Sequence, residues 1–475
     1  PPGGAAAAGA APPPRSGLRL TAPTLRTVAA GPRPAPGPAP RPTPSGGPPD
    51  IVVYLVDTLR ADHLGCYGYH RPTSPQIDRF AEDATLFTGA LAQSSWTRPA
   101  VATLFTGLYP EVHGVTGRQS GLPAGVATLA ELLREAGYAT AAVSTNPYVT
   151  PAFGLDRGFD TFVELPVDRR TEEVHQLSDR LNREAFAWLD ARPPGRPFFL
   201  YLHSTDPHLP YAPRSPYRER FARPGSAAVA GTKETVYRLT AGELEATVAV
   251  REGLIDLYDA EIAFNDAAFG ELRRRLEELG LWESALVVLL ADHGEEFGDH
   301  GLWTHGRTLY SEQLAMPLVV RLPGGRGAGR RVDAPVSQVD LLPTLLDYLG
   351  VGAPEAVQGR SFLAAFEPGF SPSDPPPAIY AHLGINGRRH LAVTRGRRKV
   401  VYRAQRLLRP MPRVEQYDLE RDPGERRNLA YQEPVWTGYL LSLSRLRELW
   451  PALHAEDVEL SEELQKNLEA LGYVH

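Results

Sequence analysis

Two aspartates stand where two buried apolar runs end, and one of them precedes a histidine. Asp57 follows the run 51–56, and Asp292 follows Leu-Leu-Ala at 289–291 and precedes His293. Because the carboxyl ends of parallel strands border the ligand crevice of an open sheet, we expect these side chains to face one cleft. Carboxylate and imidazole groups are suitable ligands for a divalent cation. Each aspartate alone is equally typical of a turn cap, so spacing leaves both interpretations open.

Apolar runs throughout the chain predict the sheet that would position these residues. Continuous β-branched runs bounded by polar residues are typical of strands buried on both faces, and they occur at 51–56, 139–144, 198–202, 285–290 and 317–320. Helical patterns lie between them, at 127–136, 179–189 and 243–279. Strands that alternate with helices predict an α/β fold built on a layered sheet.

Two changes in composition divide the chain into three predicted parts. Residues 1–49 hold 15 of the 46 prolines, five arginines and no acidic residue, which predicts a disordered linker. Residues 50–365 carry the predicted strands and helices. After residue 365 short basic and apolar strands at 390–395 and 399–403 precede two helices, which predicts a smaller C-terminal α+β subdomain over 366–475.

Charge and cysteine content argue against several classes of function. The 50 basic and 56 acidic residues give a net charge of -6, which is not typical of proteins whose main partner is a nucleic acid or an anionic membrane. No apolar run reaches the roughly 18 to 20 residues that span a bilayer. Cys66 is the only cysteine, so neither an intrachain disulfide nor a thiolate-rich metal site is expected. The chain begins with Pro1-Pro2, and a leader removed there predicts a secreted, periplasmic or envelope-anchored protein.

The segment 93–107 reads Gln-Ser-Ser-Trp-Thr-Arg-Pro-Ala-Val-Ala-Thr-Leu-Phe-Thr-Gly. It resembles the signature of the sulfatase branch of the alkaline phosphatase superfamily, in which the nucleophile precedes a helix as Cys-x-Pro-x-Arg followed by four residues and Thr-Gly. Further blocks resemble that family in order along the chain, at 56–68, 107–110 with 113–114, 206–211, 291–295, and 415–425 with 428–429. The resemblance implies an alkaline phosphatase-like, mostly parallel mixed sheet flanked by helices, and metal-dependent hydrolysis of an ester.

By this resemblance Thr97 occupies the nucleophile position. Pro99 fits the first position of a helix, where its missing N–H costs nothing, and this places Thr97 where free N–H groups and the helix dipole favour an anion. A divalent ion bound by Asp57, Thr97, Asp292 and His293 would let the hydroxyl lose its proton near neutral pH. Without the flanking blocks, the segment is more typical of a threonine that caps a helix.

The chain departs from the family at the nucleophile. Sulfatases carry cysteine or serine there for maturation to formylglycine, and Cys66 lacks the context to replace it. The formylglycine hydrate releases sulfate with its second hydroxyl, which threonine lacks, so an ester on Thr97 must be opened by attack at the central atom. That reaction proceeds readily at phosphorus, and family members with threonine are generally phosphodiesterases, phosphatases or phosphotransferases.

Three other departures concern the metal and the charge around it. The paired Asp-Asp of the family is Asp57-Thr58 here, and the asparagine of calcium sulfatases is His293. Fewer carboxylates and an added imidazole favour zinc or manganese, with calcium still possible. Val101 replaces the family arginine, and Arg98 is the predicted local source of positive charge for the substrate.

Two histidines complete the predicted catalytic set with Thr97. His208 corresponds to the substrate histidine of the family, and His305 stands where many sulfatases have a lysine. We expect both to contact the transferred group and to assist the leaving group. Two alternatives for His305 are a ligand of a second metal site and a histidine of a surface turn. His203, His113 and His300 are weaker candidates, because a structural role explains each of them equally well.

The leading hypothesis is a hydrolase or transferase acting on a phosphate or phosphonate ester of a small molecule, glycan or lipid. One alternative is a sulfuric ester hydrolase that works without formylglycine. Another is a catalytically silent binding protein that retains the fold. The substrate depends on loops such as 213–233, which carry no recognisable code, and the oligomeric state is open.

Overall fold

The computed structural model describes residues 47–165, 177–226, 229–385, 389–404, 411–447 and 450–470. The predicted linker 1–49 therefore lies almost entirely outside the described residues. Within them, no helix combines the length and the apolar character that a bilayer span requires.

An eight-stranded mixed sheet forms the centre of the fold. Its strand order is β11-β2-β10-β7-β1-β6-β4-β5, and β10 alone runs antiparallel to its neighbours. A four-stranded antiparallel sheet, β12-β13-β14-β15, lies later in the chain. The strands are β1 (Ile51–Val56), β2 (Thr85–Leu91), β3 (Ser120–Gly121), β4 (Ala139–Ser144), β5 (Thr161–Glu164), β6 (Phe198–Ser204), β7 (Leu286–Ala291), β8 (Glu296–Phe297), β9 (Trp303–Thr304), β10 (Leu318–Arg321), β11 (Arg330–Ser337), β12 (Ala378–Leu383), β13 (His390–Arg395), β14 (Arg398–Arg403), β15 (Val414–Asp418) and β16 (Glu456–Asp457).

Helices connect and flank these strands. The predicted pattern at 243–279 forms the longest of them, α8, over 31 residues. The helices are α1 (Pro75–Glu82), α2 (Thr97–Thr106), α3 (Pro110–His113), α4 (Leu129–Glu135), α5 (Leu177–Ala191), α6 (Tyr217–Phe221), α7 (Lys233–Ala241), α8 (Val248–Glu278), α9 (Ser311–Leu314), α10 (Leu341–Leu349), α11 (Pro434–Arg447) and α12 (Glu462–Ala470). The predicted α/β fold with a small antiparallel sheet is confirmed, while the domain boundary at residue 365 stays a prediction.

The register of the central strands brings the two predicted aspartates together. Every residue of β1 and β7 is buried, as expected for strands paired and covered on both faces. Val56 at the end of β1 pairs with Ala291 of β7 on one side and with Ser204 of β6 on the other. The residues that follow β1 and β7 therefore leave the sheet side by side at its carboxyl edge.

Helix α2 begins two residues earlier than the proline suggested. Its first residue is Thr97, so Pro99 is the third residue rather than the first. The prediction that Pro99 is the first residue of the helix was wrong. Its missing N–H still costs no hydrogen bond, because the N–H of the third residue of a helix also has no partner inside the helix. All ten residues of α2 are buried, and Gly107 ends the helix with a φ of 65°.

A hydrogen bond of His113 connects the short helix α3 to α2. Its Nδ1 accepts a hydrogen bond from Val115 N at 3.1 Å, so its Nε2 carries the proton and lies 3.1 Å from Thr103 Oγ1. Burial lowers the pKa of His113 to about 3. This arrangement supports the structural explanation of His113.

We expect His113 to make stability pH-dependent. Below pH of about 6.5 the His113 side chain binds a proton in the unfolded chain but not in the folded chain. The stabilisation that neutral His113 gives to the folded chain is therefore complete above that pH and is lost as the pH falls. Relative to His113→Gln, the wild type should lose up to ~1.4 kcal/mol of unfolding free energy per pH unit below ~6.5. Chemical denaturation at pH 7.5 and 5.5 measures this, with His454→Gln, an exposed histidine, as control. Equal pH dependence in wild type and His113→Gln would contradict the assignment.

Candidate metal and active site

Two carboxylates and an imidazole meet at the carboxyl edge of the large sheet. His293 Nε2 lies 3.4 Å from Asp292 Oδ2 and 3.7 Å from Asp57 Oδ1. All three side chains are fully buried. The structure therefore brings these three predicted ligands into one small, buried centre.

Thr97 brings its hydroxyl to the same centre. Its Oγ1 lies 3.4 Å from His293 Nε2 and 3.5 Å from Asp57 Oδ2. As the first residue of α2 it sits where free N–H groups and the helix dipole stabilise negative charge. An oxygen at this point is suited to carrying negative charge and to attacking an anionic ester.

The residues present fit a divalent cation. Asp57 Oδ1 and Asp292 Oδ2 are buried without a hydrogen-bond partner among the described residues. Burial and the charge of Asp57 raise the pKa of Asp292, whereas the pKa of Asp57 is lowered, because hydrogen bonding and charge from neighbouring histidines outweigh its burial. Two such carboxylates repel one another, and a cation between them would remove that repulsion.

The remaining polar atoms of these ligands are already engaged. Asp292 Oδ1 accepts hydrogen bonds from His293 N at 2.8 Å and Thr58 N at 3.2 Å. His293 Nδ1 lies 2.9 Å from Gly294 O, so it carries the proton and Nε2 keeps its lone pair for a metal. The donor set directed at the centre is thus one oxygen of each aspartate, one ring nitrogen and the threonine oxygen.

Two further residues contact Asp57: His203, which the sequence indicates only weakly, and Asn146, which it does not single out. Asn146 Nδ2 donates to Asp57 Oδ2, and His203 Nε2 lies 3.4 Å from the same oxygen, while its Nδ1 lies 2.9 Å from Tyr201 Oη. His203 also belongs with Asp57 and Asp292 to a group whose ligand atoms all lie within 4.8 Å of one another. Their positions relative to the strands could have indicated these contacts. Asn146 follows the end of β4 by two residues, and His203 of β6 pairs with Leu55 of β1.

His208 and His305 lie beside the centre as a pair. Their ring centroids are 4.9 Å apart, and the ring of His305 is 4.6 Å from that of His293. Glu295 holds His305, with Oε1 3.0 Å from Nδ1, and Tyr211 Oη donates to Glu295 Oε2 at 2.9 Å. Burial lowers the pKa of His208 to about 4, whereas Glu295 raises the pKa of His305 against the effect of burial.

Arg98 makes contacts directed elsewhere. Its guanidinium lies 3.8 Å from the centroid of the Phe153 ring and 4.4 Å from that of Tyr148. It also donates to the carbonyl oxygens of Arg118 and Ser120. These contacts give no support to the predicted role of Arg98 in binding substrate.

A second group of acidic and histidine side chains, Glu296, His300 and Glu312, has a structural explanation. His300 Nδ1 lies 2.8 Å from Glu312 Oε1, and its ring stacks on Tyr310 at 3.6 Å. Glu296 accepts hydrogen bonds from His300 N and Leu302 N. Burial raises the pKa of the Cys66 thiol, which disfavours the reactive thiolate.

Comparison with known proteins identifies the family. Residues 49–351 match the family model described as Sulfatase. The chain belongs to the sulfatase family. Residues 298–446 of this sulfatase-family chain also match the C-terminal region of N-sulphoglucosamine sulphohydrolase.

Relatives of this sulfatase-family protein include enzymes of two chemistries. The chain is 27% identical over 359 residues to the uncharacterised sulfatase YidJ of Escherichia coli, covering 67% of this chain and 71% of that protein. It is 23% identical to an N-acetylglucosamine-6-O-sulfatase of Bacteroides thetaiotaomicron, covering 80% and 82%. The structure of a phosphonate monoester hydrolase of Agrobacterium radiobacter superposes with a TM-score of 0.70 at 24% identity, covering 84% of this chain and 95% of that one. The family is one of hydrolases that act on ester bonds and use a divalent metal ion.

We expect Asp292 to be required for metal binding. Asp292→Asn removes charge from the centre and should lower the affinity for zinc or manganese by more than about 100-fold. Titration calorimetry and metal analysis of the purified protein measure this. Asp62→Asn, whose carboxylate is largely exposed and pairs with Arg60, is the matched control, and equal affinities in the two variants would refute the site.

His203 should act on the metal through Asp57. His203→Leu leaves Asp57 Oδ2 with fewer donors, so the carboxylate loses orientation and metal affinity should fall by about 10- to 100-fold. The metal-free variant should still give a cooperative unfolding transition. An unchanged metal dissociation constant in a folded His203→Leu protein would show that His203 does not orient Asp57.

Proposed function

We propose that the chain is a metal-dependent hydrolase or transferase that attacks a phosphate or phosphonate ester through Thr97. The observation that carries this proposal is the position of the Thr97 hydroxyl, at the start of a buried helix and within 3.5 Å of both Asp57 and His293. Asp57, Thr97, Asp292 and His293 would hold the metal. Zinc or manganese fits this mixed oxygen and nitrogen set best.

Each group has a defined part in the reaction. A divalent ion held by Asp57, Thr97, Asp292 and His293 would lower the pKa of the Thr97 hydroxyl and neutralise charge on the ester. Thr97 attacks in line, and the N-terminus of α2 stabilises the charge that develops on the equatorial oxygens. The ring of His305 lies 4.6 Å from that of His293 and 4.9 Å from that of His208, so the two histidines would bind the transferred group and assist the leaving oxygen.

The threonine favours phosphorus over sulfur. Thr97 has a single hydroxyl, so the covalent ester cannot expel its group by elimination as a formylglycine hydrate does. It must be opened by water or a second alcohol at the central atom. The preference rests on Thr97 and not on the fold, because a phosphonate monoester hydrolase and a protein in complex with a glucosamine disulfate substrate both superpose with a TM-score of 0.70.

Sulfate ester hydrolysis is the second candidate. It is favoured by the family assignment and by the similarity to an N-acetylglucosamine-6-O-sulfatase. In that case Thr97 would serve without conversion to formylglycine.

Removal of the Thr97 hydroxyl should abolish turnover. We expect Thr97→Ala to lower kcat by at least about 1,000-fold, because both nucleophile and one metal ligand are lost, whereas Thr97→Ser should retain measurable activity. Acid-quenched wild type should carry a phosphoryl group on residue 97, detectable by mass spectrometry. Full activity in Thr97→Ala would contradict the mechanism.

A panel of esters with one leaving group separates the two candidates. Nitrophenyl phosphate, methyl nitrophenyl phosphate, nitrophenyl phenylphosphonate and nitrophenyl sulfate should be compared after loading with zinc, manganese or calcium. We expect kcat/KM to be highest on a phosphorus ester with zinc or manganese. A higher kcat/KM on the sulfate would transfer the assignment to sulfate hydrolysis, and absence of both metal binding and turnover would indicate a silent binding protein.

A further inference from the structure

Helix α11 packs one side against the four-stranded sheet. Leu440 is fully buried there and forms a cluster with Val393 of β13 and Val400 of β14. Thr437 and Ser444, three residues before Leu440 and four after it, are also buried. This spacing follows the helical repeat and defines the side of α11 that faces the sheet. On a helix that meets only water on its other side, the remaining positions are expected to be polar.

The exposed side of α11 instead carries large apolar side chains. Val435, Trp436 and Tyr439 are 83%, 45% and 38% exposed, and Tyr431, just before the helix, is 89% exposed. The rings of Trp436 and Tyr439 contact each other with centroids 5.8 Å apart. The stretch 434–444 contains no charged residue. These four side chains, the α11 patch, leave apolar and aromatic surface in contact with solvent, which marks an interaction site.

Arginines lie around the α11 patch. The guanidinium of Arg395 is 5.6 Å from the centroid of the Tyr439 ring. Arg427 donates from Nη2 to Gln432, two residues before α11, at 3.1 Å. Arg445 is exposed in the last turn of the helix. Among the described residues, none of these three arginines pairs with a carboxylate. The patch therefore has an apolar centre and a cationic rim.

Positive charge is concentrated in this part of the chain. Residues 378–447, from the start of β12 to the end of α11, hold 15 basic and 6 acidic residues, a net charge of +9, although the whole chain carries -6. Attraction to a charged surface depends on the charge that faces it, because more distant charges are screened by salt. The argument from whole-chain charge against an anionic partner therefore does not extend to this region.

We propose that the α11 patch docks on an anionic lipid bilayer. Tryptophan and tyrosine are favoured at the boundary between headgroups and acyl chains, so the rings and Val435 would enter that layer. The arginines of the rim would contact lipid phosphates, and each basic residue held near an anionic leaflet adds to the attraction. This docking does not depend on the proposed reaction, because none of these side chains belongs to the metal centre.

Two other occupants fit this surface less well. A nucleic acid is bound through many phosphate contacts, whereas the centre of the α11 patch is uncharged over 434–444. A second copy of the chain, docked symmetrically, would bring the same arginines against one another. An anionic bilayer accommodates both parts of the surface, since its interface takes up apolar side chains and its phosphates attract the rim.

Vesicle binding by the full chain tests the proposal. The protein should be sedimented with vesicles of phosphatidylcholine and phosphatidylglycerol in equal parts, and with vesicles of phosphatidylcholine alone. We expect the partition coefficient to be at least about tenfold higher on the mixed vesicles and to fall as salt is added. Tryptophan emission should shift to shorter wavelength on the mixed vesicles, and this shift should be smaller in Trp436→Ala.

A first pair of variants tests the apolar centre. Val435→Ser/Trp436→Ala should lower the partition coefficient on the mixed vesicles by at least about tenfold, because the apolar area that enters the interface is lost. The matched control is Val248→Ser/Tyr237→Ala, which removes a valine that is 73% exposed and a tyrosine that is 60% exposed from α8 and α7. This control should bind the vesicles as the wild type does.

A second pair of variants tests the cationic rim. Arg427→Gln/Arg445→Gln should lower the partition coefficient on the mixed vesicles by at least about tenfold, since two charges near the lipid surface are removed. Arg134→Gln/Arg274→Gln, which removes two exposed arginines of α4 and α8, should leave it unchanged. Every altered side chain in both pairs is exposed, so each variant should keep the unfolding transition of the wild type.

Four results would overturn the proposal. The first is equal binding to mixed and to neutral vesicles, and the second is equal binding by the α11 variants and their matched controls. The third is tighter binding of a short duplex DNA than of the mixed vesicles at the same salt concentration. The fourth is a dimer in solution that Val435→Ser/Trp436→Ala dissociates, because the patch would then be an interface between two copies of the chain.

Discussion

The repulsion between Asp57 and Asp292 is the constraint on which the candidate site depends. Both carboxylates are fully buried, and each keeps one oxygen without a hydrogen bond. A protein interior tolerates such a pair only if one group takes up a proton or a cation lies between them. The surrounding contacts favour the second solution, since Asn146 and His203 engage the outer oxygen of Asp57 while the inner oxygen stays directed at His293. The repulsion between the two carboxylates is the same feature that suits this centre to binding a divalent cation.

The sequence predicted this centre because its ligands follow strands with strong signals. The run 51–56 is β-branched and apolar throughout, and the place where it stops marks Asp57 as a residue at the sheet edge. His203 is harder to predict, because it lies inside a strand and not at the end of one. Its proximity to Asp57 arises from the pairing of β1 with β6. Arg98 shows another limit of prediction from the sequence. Its place beside Thr97 in the chain suggested a role in substrate binding, but its long side chain follows the rings of Phe153 and Tyr148, which only tertiary structure brings to it.

Family membership accounts for the fold, whereas the choice of ester depends on the residue at position 97. The sheet, the strand ends and the helix that carries Thr97 are common property of a family whose members act on more than one kind of ester. The choice among those esters depends on what the nucleophile does after the first transfer. In the proposed mechanism, a covalent ester on Thr97 would have a single route of release, and this constraint would apply whatever lies in the surrounding loops.

Thr58 is a β-branched residue with a φ of 58°, a conformation that costs such a residue about 1 to 3 kcal/mol. Its carbonyl accepts a hydrogen bond from Tyr258 Oη at 2.7 Å, and the same hydroxyl accepts one from Arg60 N at 2.9 Å. The bend that aims Asp57 is therefore braced by a helix that is synthesised 200 residues later. A nascent chain that has emerged only as far as α2 holds Asp57 and Thr97 but not this brace, and so has no preformed trap for a cation. A metal site built from Asp57, Thr97, Asp292 and His293 would therefore form only after the chain has been completed through residue 293.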